Sequence, residues 1–324
     1  MLTSAKQLRE QLTSHSKSID IGGCKTDPVT TMEALLKYWP MSHSIRELVR
    51  MRALAEWGQM ELPLLDVGCG NGLFWEAMVK SLGEDRGNRV SLSGILGVDI
   101  DPTEVNMASA RLRVRGASLR VADITSTVDI PSLAHMHGQF RTIFANCSLE
   151  HVPRLDEALK NIRSFLREDG RFILVVPAPR WTDTLKVKQF LGRISHRLAG
   201  SYAGAIDGFF QHYHLYPSWV WHHLLSNCGF TNIQMIGVGN QSSNNLYEKW
   251  LPSAMTGFVS RCFLGRYPKY LWSLKRAYFR KQTQFIEEIQ KGQTFSYDLN
   301  SPFIEEYAIS CRAGVVQKTN TDRN

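Results

Sequence analysis

Between residues 62 and 180 the chain keeps one rhythm: a short apolar run, a turn rich in Gly, Asp or Asn, then a stretch with apolar residues at helical spacing. The runs at Leu64–Val67, Ser93–Val98, Ser118–Ala122, Thr142–Ala145 and Arg171–Val176 are four to six residues long and suit strands buried on both faces. Helical periodicity over Leu73–Leu82 and Glu104–Arg115 separates the first of them, with Asp101-Pro102 placed to cap and start the second helix. Gly170, after Glu168-Asp169, is placed to end the helix before the fifth strand. A helix at Ser218–Asn227, a strand at Thr231–Val238 and a last strand at Glu305–Cys311 follow. Strands alternating with helices predict parallel βαβ units, and so a doubly wound α/β sheet.

The first run leads into Asp66, Gly68, Gly70 and Gly72, at alternate positions. Glycines in such a turn let the backbone approach a ligand and adopt positive φ. A nicotinamide or flavin fingerprint would want a small residue at the sixth position of GxGxxG, where this chain has Leu73. Asp66, two positions before Gly68, suits a cofactor carrying an ammonium group better than a pyrophosphate. An acid ending the second run, Asp99, stands where such folds hold a ribose. It follows Gly72 by 27 residues, and the polar stretch 83–89 accounts for the extra length as a surface loop.

The segment LLDVGCGNG at 64–72 resembles motif I, DxGxGxG, of class I S-adenosylmethionine-dependent methyltransferases of the small-molecule type, and NCSLEHV at 146–152 is similar to their NxxEHV segment. The resemblance spans residues 60–180, and more weakly 210–240 and 303–314. It implies a Rossmann-like, seven-stranded mixed sheet whose last strand runs antiparallel, with S-adenosyl-L-methionine as cofactor. It places Asp66, Gly68, Gly70, Gly72, Asp99, Asp123 and Asn146 around that cofactor. Asp123 is either the acceptor for the adenine amino group or the cap of a turn.

A length of 324 residues fits one large core with insertions or two domains. The reading adopted is an N-terminal helical cap (1–58), a cofactor-binding core (59–178), a cap insertion (179–217), a core continuation (218–240), a basic and aromatic helical insertion (241–302), the last core strand (303–314) and a disordered tail (315–324). The N-terminus lacks an apolar signal core, no run reaches the roughly 18 apolar residues a spanning helix needs, and six scattered cysteines without a CxxC pair suggest neither zinc nor a disulfide scaffold. A reducing cytoplasm is the expected home.

The net charge of +8 is concentrated: residues 180–290 hold 13 Lys or Arg against 5 Asp or Glu, which leaves 25 of each sign elsewhere. Within that span, residues 250–281 interleave aromatic and basic side chains. Three readings stand: a helical cap with a solvated basic face, peripheral contact with an anionic membrane or a lipid-linked phosphate, or nucleic-acid binding. Amino methylation of adenine through (N/D)PPY and base methylation through a PC cysteine are disfavoured, because neither motif occurs. RNA ribose or cap methylation stays open as the alternative, and a non-catalytic cofactor-binding partner protein as the alternative of another class.

Methyl transfer from a sulfonium needs mainly alignment in a dry site, with a general base when the acceptor is a hydroxyl. A small-molecule acceptor methylated on oxygen is favoured. In the family the chain resembles, the residues after the fourth strand and those before the helix at 218–227 border the acceptor pocket, which makes His151 the first candidate base and His214 the second, each otherwise a locally hydrogen-bonded histidine; Tyr38, Trp39 and His43 either line the pocket or pack the cap on the sheet. His212 and His214 share one side of an extended segment with no nearby acidic partner specified, so no metal is assigned.

Overall fold

The computed structural model describes residues 18–20, 28–81, 90–126, 136–264 and 272–314. The N-terminal residues 1–17, the loop at 83–89 and the tail at 315–324 lie outside them. Among the described residues no helix is long and apolar enough to cross a membrane.

The chain opens with β1 (Ser18–Asp20), α1 (Pro28–Leu36) and α2 (Met41–Leu54), the two helices being separated where Tyr38-Trp39-Pro40 interrupts the pattern. β2 (Gln59–Glu61) pairs antiparallel with β1 in a small sheet of its own. Then come β3 (Leu64–Val67), α3 (Leu73–Ser81), β4 (Ile95–Asp99), α4 (Pro102–Leu112), β5 (Ser118–Val121), β6 (Phe140–Asn146), α5 (Leu155–Phe165) and β7 (Leu166–Pro177). The first insertion supplies α6 (Lys186–Ile194) and α7 (His196–Phe210), followed by α8 (Ser218–Asn227) and β8 (Phe230–Val238). The second supplies α9 (Gln241–Leu264), α10 (Trp272–Arg280), α11 (Thr283–Gln290) and β9 (Phe295–Ser296) before β10 (Glu306–Ala313).

The main sheet has the order β5-β4-β3-β6-β7-β10-β8-β9. β3 to β7 are parallel, while β10 runs antiparallel to β7 and to β8. The sheet is thus mixed for the reason anticipated but has eight strands, because two residues of the second insertion add β9 to the edge of β8. Gly170 is a correction: α5 stops at Phe165, Leu166 turns extended (φ −76°, ψ 137°), and Gly170 lies inside β7. Pairing of Leu166 with Phe140 recruits into the sheet residues that local propensity assigns to a turn.

Strand alternation sends Leu64, Ile95, Phe144 and Ile173 to the face covered by α1, α2 and α3, and Leu65, Leu96, Ile143 and Leu174 to the face covered by α5 and α8. The second insertion joins the N-terminal cap: α9 packs on α2, and α10 and α11 on α1. Within the basic, aromatic stretch, Phe279 is core, Trp250 meets Tyr278 edge-on at 4.9 Å, and Glu33 pairs with Arg276 and Arg280 at 2.9 and 2.7 Å. Phe263 and Leu274 of the same stretch stay exposed. The two insertions meet where Trp181 and Leu185 pack on Tyr247, and where Glu248 accepts the Lys186 and Val187 N–H groups at 2.6 Å each at the start of α6.

A buried ionic cluster fastens cap to sheet. Arg50 donates through Nε and Nη2 to both oxygens of Glu306 at 2.6 Å, and through Nη1 to Glu47 at 2.8 Å. Arg46 reaches Glu305 at 3.2 Å, and its guanidinium lies 3.8 Å from the Tyr247 ring centroid and 4.8 Å from that of Trp181. Replacing Arg50 by Met leaves Glu47 and Glu306 buried without that cation, which should cost about 3–5 kcal/mol. Urea denaturation checks it, and a loss under about 1 kcal/mol would show that cap and sheet hold together without this pair.

Candidate active site

Parallel strands in this order deliver their C-terminal ends to one edge of the sheet, where the strand order reverses between β3 and β6. A cavity of about 1010 Å³ opens there. Its wall is made by the turns after β3, β4, β5 and β6, with Trp39 and His43 from the cap and Tyr247 from α9.

The turn after β3 is fixed by close crossings. Gly68 (φ +73°) donates its N–H to Val98 at 2.8 Å, and a Cβ on it would stand 2.3 Å from Ser148 Cβ on the chain leaving β6. Ser148 Oγ in turn donates to the Val67 carbonyl at 2.7 Å. Gly72 (φ +76°) is needed for a different reason, since a Cβ there would meet Leu112 of α4 at 2.8 Å. Gly68 and Gly70 line the cavity, whereas Gly72 stands behind it and lets α4 approach.

Acids at the strand ends are held in place by backbone donors. Asp99 accepts the Gly70 N–H through Oδ2 and the Asp101 N–H through Oδ1, both at 2.9 Å, and each oxygen keeps a lone pair for a further donor. Asp101 caps α4 as expected, accepting the Thr103 N–H at 2.7 Å. Asp123 caps its own turn through Thr125 (N–H at 2.8 Å, hydroxyl at 2.7 Å) and also lines the cavity. Asp66 is 3% exposed and accepts Trp75 Nε1–H at 2.7 Å; burial pushes its carboxyl up to about 7. Asn146 donates to Glu47 Oε1 at 3.0 Å, and its Oδ1 is buried without a partner. These residues fit an amino-acid-bearing nucleoside. The orphaned Asn146 oxygen and Asp66 can accept from an ammonium, Asp99 from ribose hydroxyls and Asp123 from an amino group, and at Gly70 an added Cβ would find only Glu104 Oε2, at 3.9 Å.

A second cluster follows β6. The short turn Leu149–His151 carries Glu150, whose carbonyl accepts the N–H groups of Tyr213 (2.9 Å) and His214 (3.2 Å). Those bonds dock the segment after α7 onto the core. His212 stacks on His151 with ring centroids 5.5 Å apart and lines the same cavity. His151 Nδ1 lies 3.0 Å from the Gln211 carbonyl, and His151 Nε2 is 3.7 Å from Glu150 Oε1. Burial, seconded by His212, lowers the basicity of His151 against the Gln211 bond, while burial pushes Glu150 up to about 8.

Of the two histidines expected to serve the acceptor, the structure brings His151 to the cavity but not His214. Both His214 nitrogens are engaged, Nε2 at 2.8 Å from the Val152 carbonyl and Nδ1 at 3.0 Å from the Tyr216 hydroxyl. His212 reaches the cavity instead, with Asp207 Oδ1 3.5 Å from its Nδ1 and Glu150, 62 residues earlier in the chain, brought beside it. Trp39 and His43 line the wall as anticipated; Tyr38 instead accepts from Lys80 Nζ at 2.6 Å. Arg46, Glu47, Arg50 and Glu306 also line the cavity, and nothing local in the sequence distinguishes those of α2 from an ordinary solvated helix face.

Residues 41–235 match the methyltransferase domain family. Over 111 residues the chain is 32% identical to a ribosomal protein L11 methyltransferase of Geobacter sp. (strain M21), covering 34% of this chain and 32% of that protein. Over 202 residues it is 25% identical to a highly reducing polyketide synthase of Gibberella moniliformis, covering 62% of this chain and 7% of the synthase. Among solved structures it is similar to a SAM-dependent methyltransferase from Thermotoga maritima (13% identity, 78% of this chain and 82% of that one, TM-score 0.44). It is also similar to phosphoethanolamine N-methyltransferase 2 of Haemonchus contortus (12% identity, 78% and 48%, TM-score 0.43).

Asp66 gives a pH signature. Its carboxyl is raised from the ordinary range near 4 to about 7 in the fold, so its stabilising contribution is complete below about pH 4 and is lost as pH rises through 7. Asp66→Asn keeps an acceptor for Trp75 and cannot ionise. Relative to wild type the variant should gain up to about 4 kcal/mol between pH 4 and 7.5. Urea midpoints of both proteins across that range measure it, and parallel pH profiles would mean that Asp66 ionises like an exposed acid.

Proposed function

Because the chain belongs to the methyltransferase domain family, with S-adenosylmethionine as its cofactor, we propose that it methylates an oxygen atom of a small-molecule acceptor held in the cavity beside Glu150, His151 and His212. The observation that carries this reading is the joining, in one cavity, of the strand-end acids Asp66, Asp99 and Asp123 with the imidazoles of His151 and His212 beside the buried Glu150 carboxyl. When bound, the cofactor supplies an electrophilic methyl group on a sulfonium, a leaving group that needs no acid.

The residues divide the work. Asp99 holds the ribose, Asp123 the adenine amino group, and Asp66 with Asn146 Oδ1 the ammonium. Trp39, Phe74 and Phe210 supply an apolar part of the cavity wall. With its Nδ1–H on the Gln211 carbonyl, His151 keeps the lone pair on Nε2, the atom beside Glu150, and its lowered basicity keeps it neutral at pH 7. A neutral imidazole can receive a hydroxyl or its proton, which is the help an oxygen acceptor needs.

Calorimetric titration with S-adenosylhomocysteine, beside NADH, tests the cofactor site; binding of the first alone is expected, and binding of NADH alone would overturn the reading. Asp99→Ala should weaken S-adenosylhomocysteine at least tenfold, since it removes charge-assisted hydrogen bonds worth about 1.5–3 kcal/mol each. His151→Ala should leave that affinity nearly unchanged and lower kcat, with labelled S-adenosylmethionine and a panel of hydroxylated acceptors, by roughly 10²–10⁴. Undiminished turnover would remove His151 from the reaction.

A further inference from the structure

Glu150, His151 and His212 each offer one ligand-type atom, and these atoms lie within 4.8 Å of one another. Proximity alone would be weak ground, but three independent features bear on it. Glu150 is 1% exposed, lines the cavity, and its Oε2 has no hydrogen-bond partner. A carboxylate so buried is costly unless a cation stands beside it.

The two imidazoles are also oriented alike. His151 Nδ1 faces the Gln211 carbonyl at 3.0 Å, and His212 Nδ1 faces Asp207 Oδ1 at 3.5 Å. Asp207 is itself held by Trp181 Nε1–H at 2.9 Å. A proton on each Nδ1 satisfies these acceptors and leaves a lone pair on each Nε2. Backbone carbonyls and carboxylates orient metal-binding histidines in this way. The third feature is the field: seven carboxylates and three guanidinium groups line the cavity, a balance that draws cations.

We propose that Glu150, His151 and His212 bind one divalent transition-metal cation through the carboxylate and the two Nε2 atoms, with its remaining positions open to the cavity for an acceptor oxygen. Two imidazoles and one carboxylate suit zinc, cobalt, manganese or ferrous iron, whereas magnesium and calcium prefer oxygen donors throughout. Bonds of about 2.0–2.2 Å put adjacent ligand atoms about 3–3.5 Å apart, so the cluster closes by roughly 1 Å around the ion.

Binding of the cation stands on geometry; the role given to it rests on the methyl-transfer reading. A hydroxyl on the cation is more acidic and loses its proton to water. Its oxygen pair forms the new C–O bond, and the electron pair of the broken C–S bond stays on sulfur. His151 then acts as a ligand rather than as the proton acceptor.

Co²⁺ is the probe, because its visible bands report imidazole coordination without turnover. Full-length protein stripped with EDTA should bind one Co²⁺ per chain with d–d absorption. His212→Ala, Glu150→Gln and His151→Ala should each weaken binding at least a hundredfold, and Asp207→Asn ten- to a hundredfold. The exposed His222→Ala/His223→Ala pair should leave it unchanged. Calorimetry with S-adenosylhomocysteine on the same samples shows that each variant is folded. Absence of Co²⁺ bands in wild type, or bands that survive in all three ligand variants, would overturn the proposal. Intact Co²⁺ binding without S-adenosylhomocysteine binding would leave the metal site standing and remove the role given to it.

Discussion

The grip of Arg50 on Glu306 is the contact on which the remaining architecture of the site rests. It joins the second cap helix to the strand that sits between β7 and β8, so the sheet and the helical layer above it cannot separate without leaving both charges unpaired. Arg46, one turn earlier, extends the same fastening sideways through the Tyr247 and Trp181 rings to both insertions. The cavity therefore has a rigid roof of ionic and aromatic contacts over a floor of glycine-rich turns. Buried groups on its wall are held away from their ordinary ionisation: Asp66 and Glu150 upward by burial, His43 downward to about 4 by burial and the two arginines.

Much of the fold could be read from local pattern, and the reason is visible in the strands. β3, β4 and β6 are buried on both faces, so each is an apolar run bounded by a turn, and the Asp and Gly residues at their ends mark the cofactor edge. Departures from the reading come where pairing overrides local preference. β7 begins five residues before its apolar run because Leu166 finds Phe140, and β9 exists only because the second insertion returns along β8. Neither event has a local signature.

The site divides in the same manner. The acids proposed for the cofactor follow strand ends and are legible from them, since Asp99 and Asp123 are placed by the β4 and β5 termini. The acceptor side is built by distant segments. His212 rather than His214 reaches the cavity because two backbone hydrogen bonds to the Glu150 carbonyl set the course of the chain there, and the His214 ring is taken up by Val152 and Tyr216. Nothing local in the sequence marks the partners of Arg46 and Arg50 on α2, because Glu305 and Glu306 lie 259 and 256 residues further along the chain.

The place of β10 in the sheet has a consequence for biosynthesis. Among the described strands it is made after all the others, yet it lies between β7 and β8 and pairs with both. A growing chain on the ribosome holds the five parallel strands and both insertions in the open while β7 has one bare edge and Arg50 has no Glu306. Closure of the sheet, burial of the guanidinium and formation of the cavity roof would then occur together, as β10 emerges and inserts. A chaperone that shields exposed strand edges would find its target in that interval, and translation speed over the second insertion would set how long the interval lasts.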